Sequence, residues 1–250
     1  MEQRVNEPFE LQGALNVREL GGYKTEEGKT LKTHRLLRSA ATDQLTQRDL
    51  EFLYAYGVRC VIDLRSGYET AHNPSKLKGY RDIAYYNVAM LDKFNSVPPE
   101  ERMKNDQMSF TLRDLYQTLI LDDEQNFAKV LRIVLQHPDD CILFNCTAGK
   151  DRTGLTAMLL LRIAGVDDAT IAADYAASEA NLSVWTEKRM AEMQQNGLEP
   201  PKMLFGTPPE NITFTLALIR KHFGSVRGYL QDMGFCREEI EKIRESLVES

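Results

Sequence analysis

A cysteine and an arginine, Cys146 and Arg152, stand with five residues between them in the run Asn145-Cys146-Thr147-Ala148-Gly149-Lys150-Asp151-Arg152-Thr153-Gly154. A short apolar run, Cys141-Ile142-Leu143-Phe144, precedes it, and the strongly helical stretch Leu155 to Ile163 follows. That order reads as strand, tight loop, helix N-terminus. Backbone N–H groups converge on an anion at such a place, and the helix dipole favours negative charge there. The same field, with the nearby cations, turns a thiol at the start of the loop toward thiolate. A thiolate facing a bound phosphate is a nucleophile for phosphoryl transfer.

Each loop residue has a role in that chemistry. Cys146 is the candidate nucleophile, and attack on a phosphomonoester gives a phosphocysteine that water then hydrolyses. The planar fork of Arg152 suits two equatorial phosphate oxygens in a way lysine does not. Thr147, Ala148, Gly149 and Lys150 form the phosphate cradle. Gly149 supplies backbone angles other residues resist, and Lys150 supplies a second positive charge. Thr153 offers a hydroxyl to the sulfur when it departs, and Gly154 allows close packing beneath the loop. Asp151 sets a carboxylate beside the anion. A lone Cys and Arg at this spacing arises by chance, and free cysteines are commonly buried fillers. The added glycines, cations, hydroxyl and strand–loop–helix setting favour the phosphate loop.

The run resembles the signature of the cysteine-dependent protein tyrosine phosphatase superfamily. Its form Cys-Thr-Ala-Gly-Lys-Asp-Arg-Thr-Gly is similar in particular to the bacterial tyrosine phosphatase family, whose members often also cleave phosphoinositides. Asn16-Val17-Arg18-Glu19-Leu20-Gly21-Gly22-Tyr23, Leu37-Arg38-Ser39, Ile62-Asp63-Leu64-Arg65-Ser66 with Glu69, Tyr229-Leu230 and Gly234 fit the same family, from about residue 14 to 245. The resemblance implies a phosphotyrosine phosphatase, and the phosphatase fold with it. The pattern Cys-x-x-Gly-Lys-x-Arg also matches phosphoinositide phosphatases, where the lysine helps neutralise neighbouring phosphates. The family carries histidine before the nucleophile, and this chain has Asn145. Asparagine donates a hydrogen bond but carries no charge, so a less acidic thiol is expected, and a phosphate-binding module with weak turnover is the rival of a different class. Sulfur transfer of the rhodanese kind is disfavoured by the form of the loop.

Expelling an ester oxygen needs a proton, and a positioned carboxylic acid contributes typically ~10²–10⁴ in rate. Asp151 lies in the loop itself. Asp92 follows the strand-like Ile83 to Val88, where the superfamily often brings an acid loop over the site, although the Trp-Pro-Asp form is absent. Asp151 is preferred because the loop fixes its place. Glu69 reads either as a carboxylate that orients the loop arginine or as a solvated surface residue. Arg18, Arg38 and Arg65 read as structural ion-pair partners that also add to the local field.

The 250 residues suffice for one α/β domain with a substantial core, spanning 1–250. A net charge of −6 carries no nucleic-acid footprint. Cys60, Cys141, Cys146 and Cys236 give neither zinc spacing nor a disulfide framework, and no cofactor or metal is expected. Cys60, in an apolar run, reads as core, with a resolving thiol as the alternative. The polar opening Met1 to Glu7 is unlike a signal peptide, and no apolar run approaches ~18 residues, so no membrane insertion is expected. A catalytic thiol suits the cytoplasm; secretion without a leader, and the oligomeric state, are left open.

The elements that must position the loop read as follows. Residues 14–38 are hairpin-like. A helix runs from Thr46, a good N-cap, to Gly57, a good terminator. Strands cover 58–63, 83–88 and 141–145. Helices cover 110–121, 123–136 and the stretch after the loop to Gly165, then one capped at Asp167 or Asp168 through Tyr175. Later helices are expected at 178–195, 209–222, 225–233 and 237–248, with a mobile surface stretch at 98–106. Strand alternating with helix and then a helical C-terminal part argues a central, mostly parallel sheet flanked by helices. The segment 178–197 holds Trp185, the single tryptophan. It is read first as a helix packed on the sheet through Trp185, with a helical lid beside the site as the alternative. Pro200 and Pro201 are expected to mark its end.

Overall fold

The computed structural model describes residues 7–92, 111–197, 199 and 205–249. The expected surface stretch at 98–106, the start of the helix at Phe110 and the Pro200–Pro201 boundary lie outside these residues.

Five strands form one sheet in the order β1-β2-β5-β3-β4: β1 (Arg18–Glu19), β2 (Leu36–Ser39), β3 (Val58–Asp63), β4 (Ala84–Asn87) and β5 (Cys141–Asn145). Only β1 is antiparallel to its neighbour; the other pairings are parallel. The helices are α1 (Gln47–Tyr56), α2 (Gly67–His72), α3 (Leu112–Leu121), α4 (Glu124–Gln136), α5 (Asp151–Ala164), α6 (Asp168–Asn181), α7 (Ser183–Gln195), α8 (Glu210–Phe223), α9 (Val226–Asp232) and α10 (Arg237–Leu247).

Strand side chains alternate between two apolar layers, as a pleated strand demands. Leu36, Ile62, Ile142 and Phe144 point into the larger cluster, which the C-terminal helices cover. Leu37, Val61, Cys141 and Leu143 point into a smaller cluster shared with Leu50 and Leu53 of α1. Val58 and Cys60, two residues apart, face opposite layers because the β3–β5 register shifts between them. Cys60 is fully buried beside Ile142, four strand positions before the loop cysteine, and so lies in the core as expected. In the middle of the sheet, Ser39, Asn145 and Asp63 share one row, so β2, β5 and β3 end together. The loop that follows β5 emerges at this edge, at the carboxyl ends of the parallel strands, where open α/β sheets bind ligands.

The local signals account for most boundaries. Thr46 caps α1 through a reciprocal capping box with Asp49, and Gly57 ends it at φ 114°. Asp167 caps α6 through Thr170 N. The boundary expected between Tyr175 and Ser178 is corrected: α6 continues to Asn181, and the chain breaks at Leu182 before α7. Ser178 resembles an N-cap in sequence, but its hydroxyl accepts Arg18 Nη2 at 3.1 Å, so it serves inside a helix as a tertiary acceptor. Trp185 is corrected as well. It does not pack on the sheet; it is half-buried and faces Phe205, with ring centroids 6.4 Å apart. Met193 is the sole buried residue of α7, which has too little apolar surface to be drawn onto the core.

Candidate active site

Residues 146–150 connect the end of β5 to the start of α5 and form the floor of an open cavity of about 950 Å³. Cys146 is 3% exposed, and that small exposed surface faces the cavity. Lys150, Asp151, Arg152 and Glu69 line it too.

Three successive loop carbonyls are turned away from the cavity onto donors behind them. Thr147 O accepts Ala41 N at 3.0 Å. Ala148 O and Gly149 O accept Asn16 Nδ2 at 3.4 and 2.9 Å, and Gly149 O also accepts Arg38 Nη2 at 2.9 Å. The amides of Thr147, Ala148 and Gly149 donate to no acceptor among the described residues. A peptide plane with its carbonyl held outward directs the N–H of the next residue inward, so the carbonyls of Thr147, Ala148 and Gly149 turn the N–H groups of Ala148, Gly149 and Lys150 toward the cavity, the arrangement of an anion nest at a helix N-terminus. Gly149 makes this possible: its φ is +66°, and a Cβ there would lie 2.5 Å from the Ser39 carbonyl oxygen. Gly154 serves the same packing one turn on, where a Cβ would lie 2.9 Å from the Tyr175 ring.

Arg152 is held by Glu69 in a two-bond fork, Nη1 to Oε2 at 2.7 Å and Nη2 to Oε1 at 2.9 Å, with Nη2 also 3.2 Å from Thr147 Oγ1. Glu69 further accepts Ser66 N at 2.8 Å as the capping residue of α2, and it accepts the Thr147 hydroxyl. Burial opposes the Glu69 charge, but the Arg152 hydrogen bonds and charge, with Thr147 and the Ser66 amide, hold its carboxyl down at about 2. Burial likewise opposes the Arg152 charge, and the Glu69 hydrogen bonds, then the charges of Cys146 and Glu69, raise its pKa above the ordinary value. Glu69 is therefore paired with Arg152 rather than left to solvent.

Asp151 is the first residue of α5, and both its contacts fall on one oxygen. Oδ1 accepts Tyr116 OH at 2.6 Å and lies 3.3 Å from Lys150 Nζ. Behind Tyr116 stands Tyr175, hydroxyl to hydroxyl at 2.7 Å, and Asn211 Nδ2 donates to Tyr175 at 3.4 Å. Burial is the largest cause holding both tyrosines protonated well above their usual range, and the Asp151 charge adds to it. Donation therefore runs one way, Asn211 to Tyr175 to Tyr116 to Asp151. Asp92 is exposed and does not line the cavity; its Oδ1 accepts Gly67 N at 2.9 Å, at the start of α2. Lys150 also donates to Gly206 O at 3.3 Å. The Thr153 hydroxyl, fully buried, makes no hydrogen bond among the described residues, to the sulfur or elsewhere. Asn145 is fully buried; its Nδ2 is 3.5 Å from Cys146 O and its Oδ1 has no partner among the described residues.

Arg18 and Arg38 share Asp174, and Arg65 pairs with Asp63 at 2.7 Å, as expected of structural ion-pair partners. The contact of Arg38 with the loop carbonyl, the role of Asn16, the tyrosines behind Asp151 and the rim positions of Tyr68 and Phe205 were not foreseen from sequence, whereas Trp185 on the same rim lies in the segment whose alternative reading was a helix beside the site. Asn16 opens the Asn-Val-Arg-Glu-Leu-Gly-Gly landmark, the one sequence signal that pointed near it. No cluster of three or more His, Cys, Asp or Glu fit to hold a metal occurs among the described residues, and none of their helices is long and apolar enough to cross a membrane.

A cysteine-bearing loop with its amides turned inward, at the carboxyl edge of a mostly parallel sheet, is an arrangement suited to holding an anion. The chain belongs to the tyrosine phosphatase family, whose pattern it matches over residues 9–249. A tyrosine-protein phosphatase of Nostoc commune is 30% identical over 222 residues, covering 83% of this chain and 72% of that one. The triple specificity protein phosphatase PtpB of Mycobacterium tuberculosis is 27% identical over 277 residues, covering 94% and 97%. A looser likeness, TM-score 0.39 at 16% identity, relates 86% of this chain to 98% of the crystal structure of P. aeruginosa TpbA.

Proposed function

We propose that the protein hydrolyses phosphotyrosine through a phosphocysteine. Cys146 Sγ attacks phosphorus, the ester P–O bond breaks, and the departing phenolic oxygen takes a proton from Asp151. Water then attacks the phosphocysteine, the P–S bond breaks, Asp151 takes the proton from that water, and inorganic phosphate leaves. Tyr116 and Lys150 occupy Oδ1 of Asp151, which leaves Oδ2 for the proton. Arg152, oriented by Glu69, and the amides of residues 148–150 gather the equatorial oxygens, whose charge they meet in a preorganised setting. The aromatic rim of Tyr68, Trp185 and Phe205 receives the phenyl ring, and α7 acts as the lid over it.

The observation that carries this reading is the set of three outward-held carbonyls beside a cavity-facing cysteine and a buried arginine. A phosphotyrosine substrate agrees with the names of the curated relatives. A free catalytic thiol suits a reducing cytoplasm. The test is hydrolysis of para-nitrophenyl phosphate and of phosphotyrosine peptides, in chelator, by the protein and by Cys146→Ser. Turnover is expected to fall by at least ~10⁴ in the variant. Wild-type protein that binds phosphate without turnover would leave only the binding-module reading, and faster turnover of phosphoinositides than of peptides would move the substrate to the lipid class.

A further inference from the structure

Asn16 sits at φ 55°, a backbone region asparagine tolerates better than most residues. Its side chain is fixed from both ends. Oδ1 accepts Arg18 Nη1 and, at 3.2 Å, Asn181 Nδ2, while Nδ2 donates to Ala148 O and Gly149 O. The amide has one orientation that satisfies these four groups.

Arg18 and Arg38 behind it are 0% exposed, and Asp174 is 1% exposed. Arg18 Nε lies 3.1 Å from Asp174 Oδ1, and Arg38 Nη1 pairs with Oδ2. The remaining donors reach neutral acceptors: Arg18 Nη2 binds Asp174 O at 2.7 Å and Ser178 Oγ at 3.1 Å, and Arg38 Nη2 binds Gly149 O. Tyr23 OH donates to Asp174 Oδ1 at 3.3 Å. Two buried cations therefore share one buried carboxylate, and Arg38 Nε has no partner among the described residues. Buried charges are ordinarily matched, because removing them from water is costly. Here the surplus lies directly beneath the loop, one hydrogen bond from Gly149.

We propose that Asn16, Arg38 and Asp174 form a positioning unit that sets the affinity of the loop for phosphate: Asn16 and Arg38 hold the carbonyls outward, and the bound phosphate dianion answers the surplus positive charge of the Arg18–Asp174–Arg38 cluster. This rests on the reading of the loop as a phosphate seat and adds to it the groups, distant in sequence, that determine its strength. None of them touches substrate.

Asn16→Asp separates the two contributions from the fold. Aspartate keeps the shape, tolerates the same backbone angles and retains an acceptor for Arg18 and Asn181. It loses the N–H groups that hold Ala148 O and Gly149 O, and its charge cancels the surplus. Competitive inhibition by inorganic phosphate, kcat and KM on para-nitrophenyl phosphate, and the thermal midpoint with and without phosphate are read together in the wild type and in Asn16→Asp. The inhibition constant is expected to rise about tenfold or more, with kcat falling by a similar factor, while the midpoint without phosphate stays within a few degrees and its increase on adding phosphate shrinks. Asn16→Ala, which removes the donor without adding charge, is expected to show a smaller loss in the same direction. Inhibition constant and kcat within twofold of wild type in a folded variant would overturn the proposal, and so would failure of both variants to fold, which would make the unit a requirement of the fold alone. Failure of the wild type itself to bind phosphate or turn over would instead overturn the phosphatase reading.

Discussion

Beneath the loop, Arg18, Arg38 and Asp174 are sealed from water, and each loop carbonyl from Thr147 to Gly149 has its donor. Across the cavity, α7 presents Trp185, Lys188 and Arg189 on a helix whose one buried residue is Met193. The floor is over-determined by buried hydrogen bonds and charge; the rim is held by a few half-exposed side chains. The difference separates two tasks. The floor must keep donors in place while charge builds on the transferring phosphoryl group, which rewards rigidity. The rim meets the non-reacting part of the substrate, where contacts of equal strength before and during reaction change KM and leave kcat alone.

Substitutions on each side test this division. The largest effect after loss of the nucleophile is expected at Asp151. Asp151→Asn should lower kcat by ~10²–10⁴, and by more for a poor leaving group than for para-nitrophenol. Equal losses across a leaving-group series would remove Asp151 from the role of acid. Glu69→Gln should lower kcat/KM by about 10²-fold, the scale of a misplaced catalytic group, and it should also change acid stability. The Glu69 carboxyl is depressed from 4.5 to about 2 in the folded protein. Its stabilising effect is therefore complete above about 4.5 and is lost as pH falls through about 2. The difference in thermal midpoint between wild type and Glu69→Gln should be constant above that window and shrink below it; a difference that grows toward acid pH would contradict the pair.

Tyr116→Phe should cost kcat about tenfold, the value of one charge-assisted hydrogen bond of ~1.5 kcal/mol, with KM little changed. The loss should be steeper for poor leaving groups, and a pure KM effect would detach Tyr116 from Asp151. The smallest effect is expected at the rim: Trp185→Ala should raise KM for aryl phosphates about five-fold with kcat unchanged, in keeping with ~1 kcal/mol, the low end for an apolar contact. If Trp185→Ala lowered kcat as much as Tyr116→Phe, the rim would share the work of the floor and the division would fail.

What could be seen in the chain before its folding depended on how far apart the partners lie. The nucleophile loop is contiguous, and its strand–loop–helix setting is local, so Cys146, Arg152 and Gly149 were legible together. Thr46 and Gly57 marked both ends of α1 because caps act within one turn. Glu69 was narrowed to two roles, and choosing between them required the 83-residue separation from Arg152 to be closed. Asn16, Arg38 and the α6 pair Asp174 and Ser178 come from three separate segments, and no periodicity relates one segment to another. Ser178 shows the limit most clearly: its type suggests a helix start, and a buried guanidinium gives it a different partner. Trp185 was placed on the wrong neighbour because an aromatic residue on a helix usually marks the buried face, and α7 lacks the further apolar residues that would make one.

The last residues of the described chain close against the first hairpin. Val248 bridges Leu31, Glu249 N donates to Thr30 O at 2.9 Å, Lys32 N donates to Leu247 O at 2.8 Å, and Arg35 Nε reaches Ser246 O at 3.1 Å. That hairpin runs between the segments bearing Arg18 and Arg38. During synthesis, then, the strand pair beneath the 146–150 loop lacks this fastening until residues 246–249 are made, and a shorter nascent chain carries Cys146, Asp151 and Arg152 while the hairpin behind them is still open.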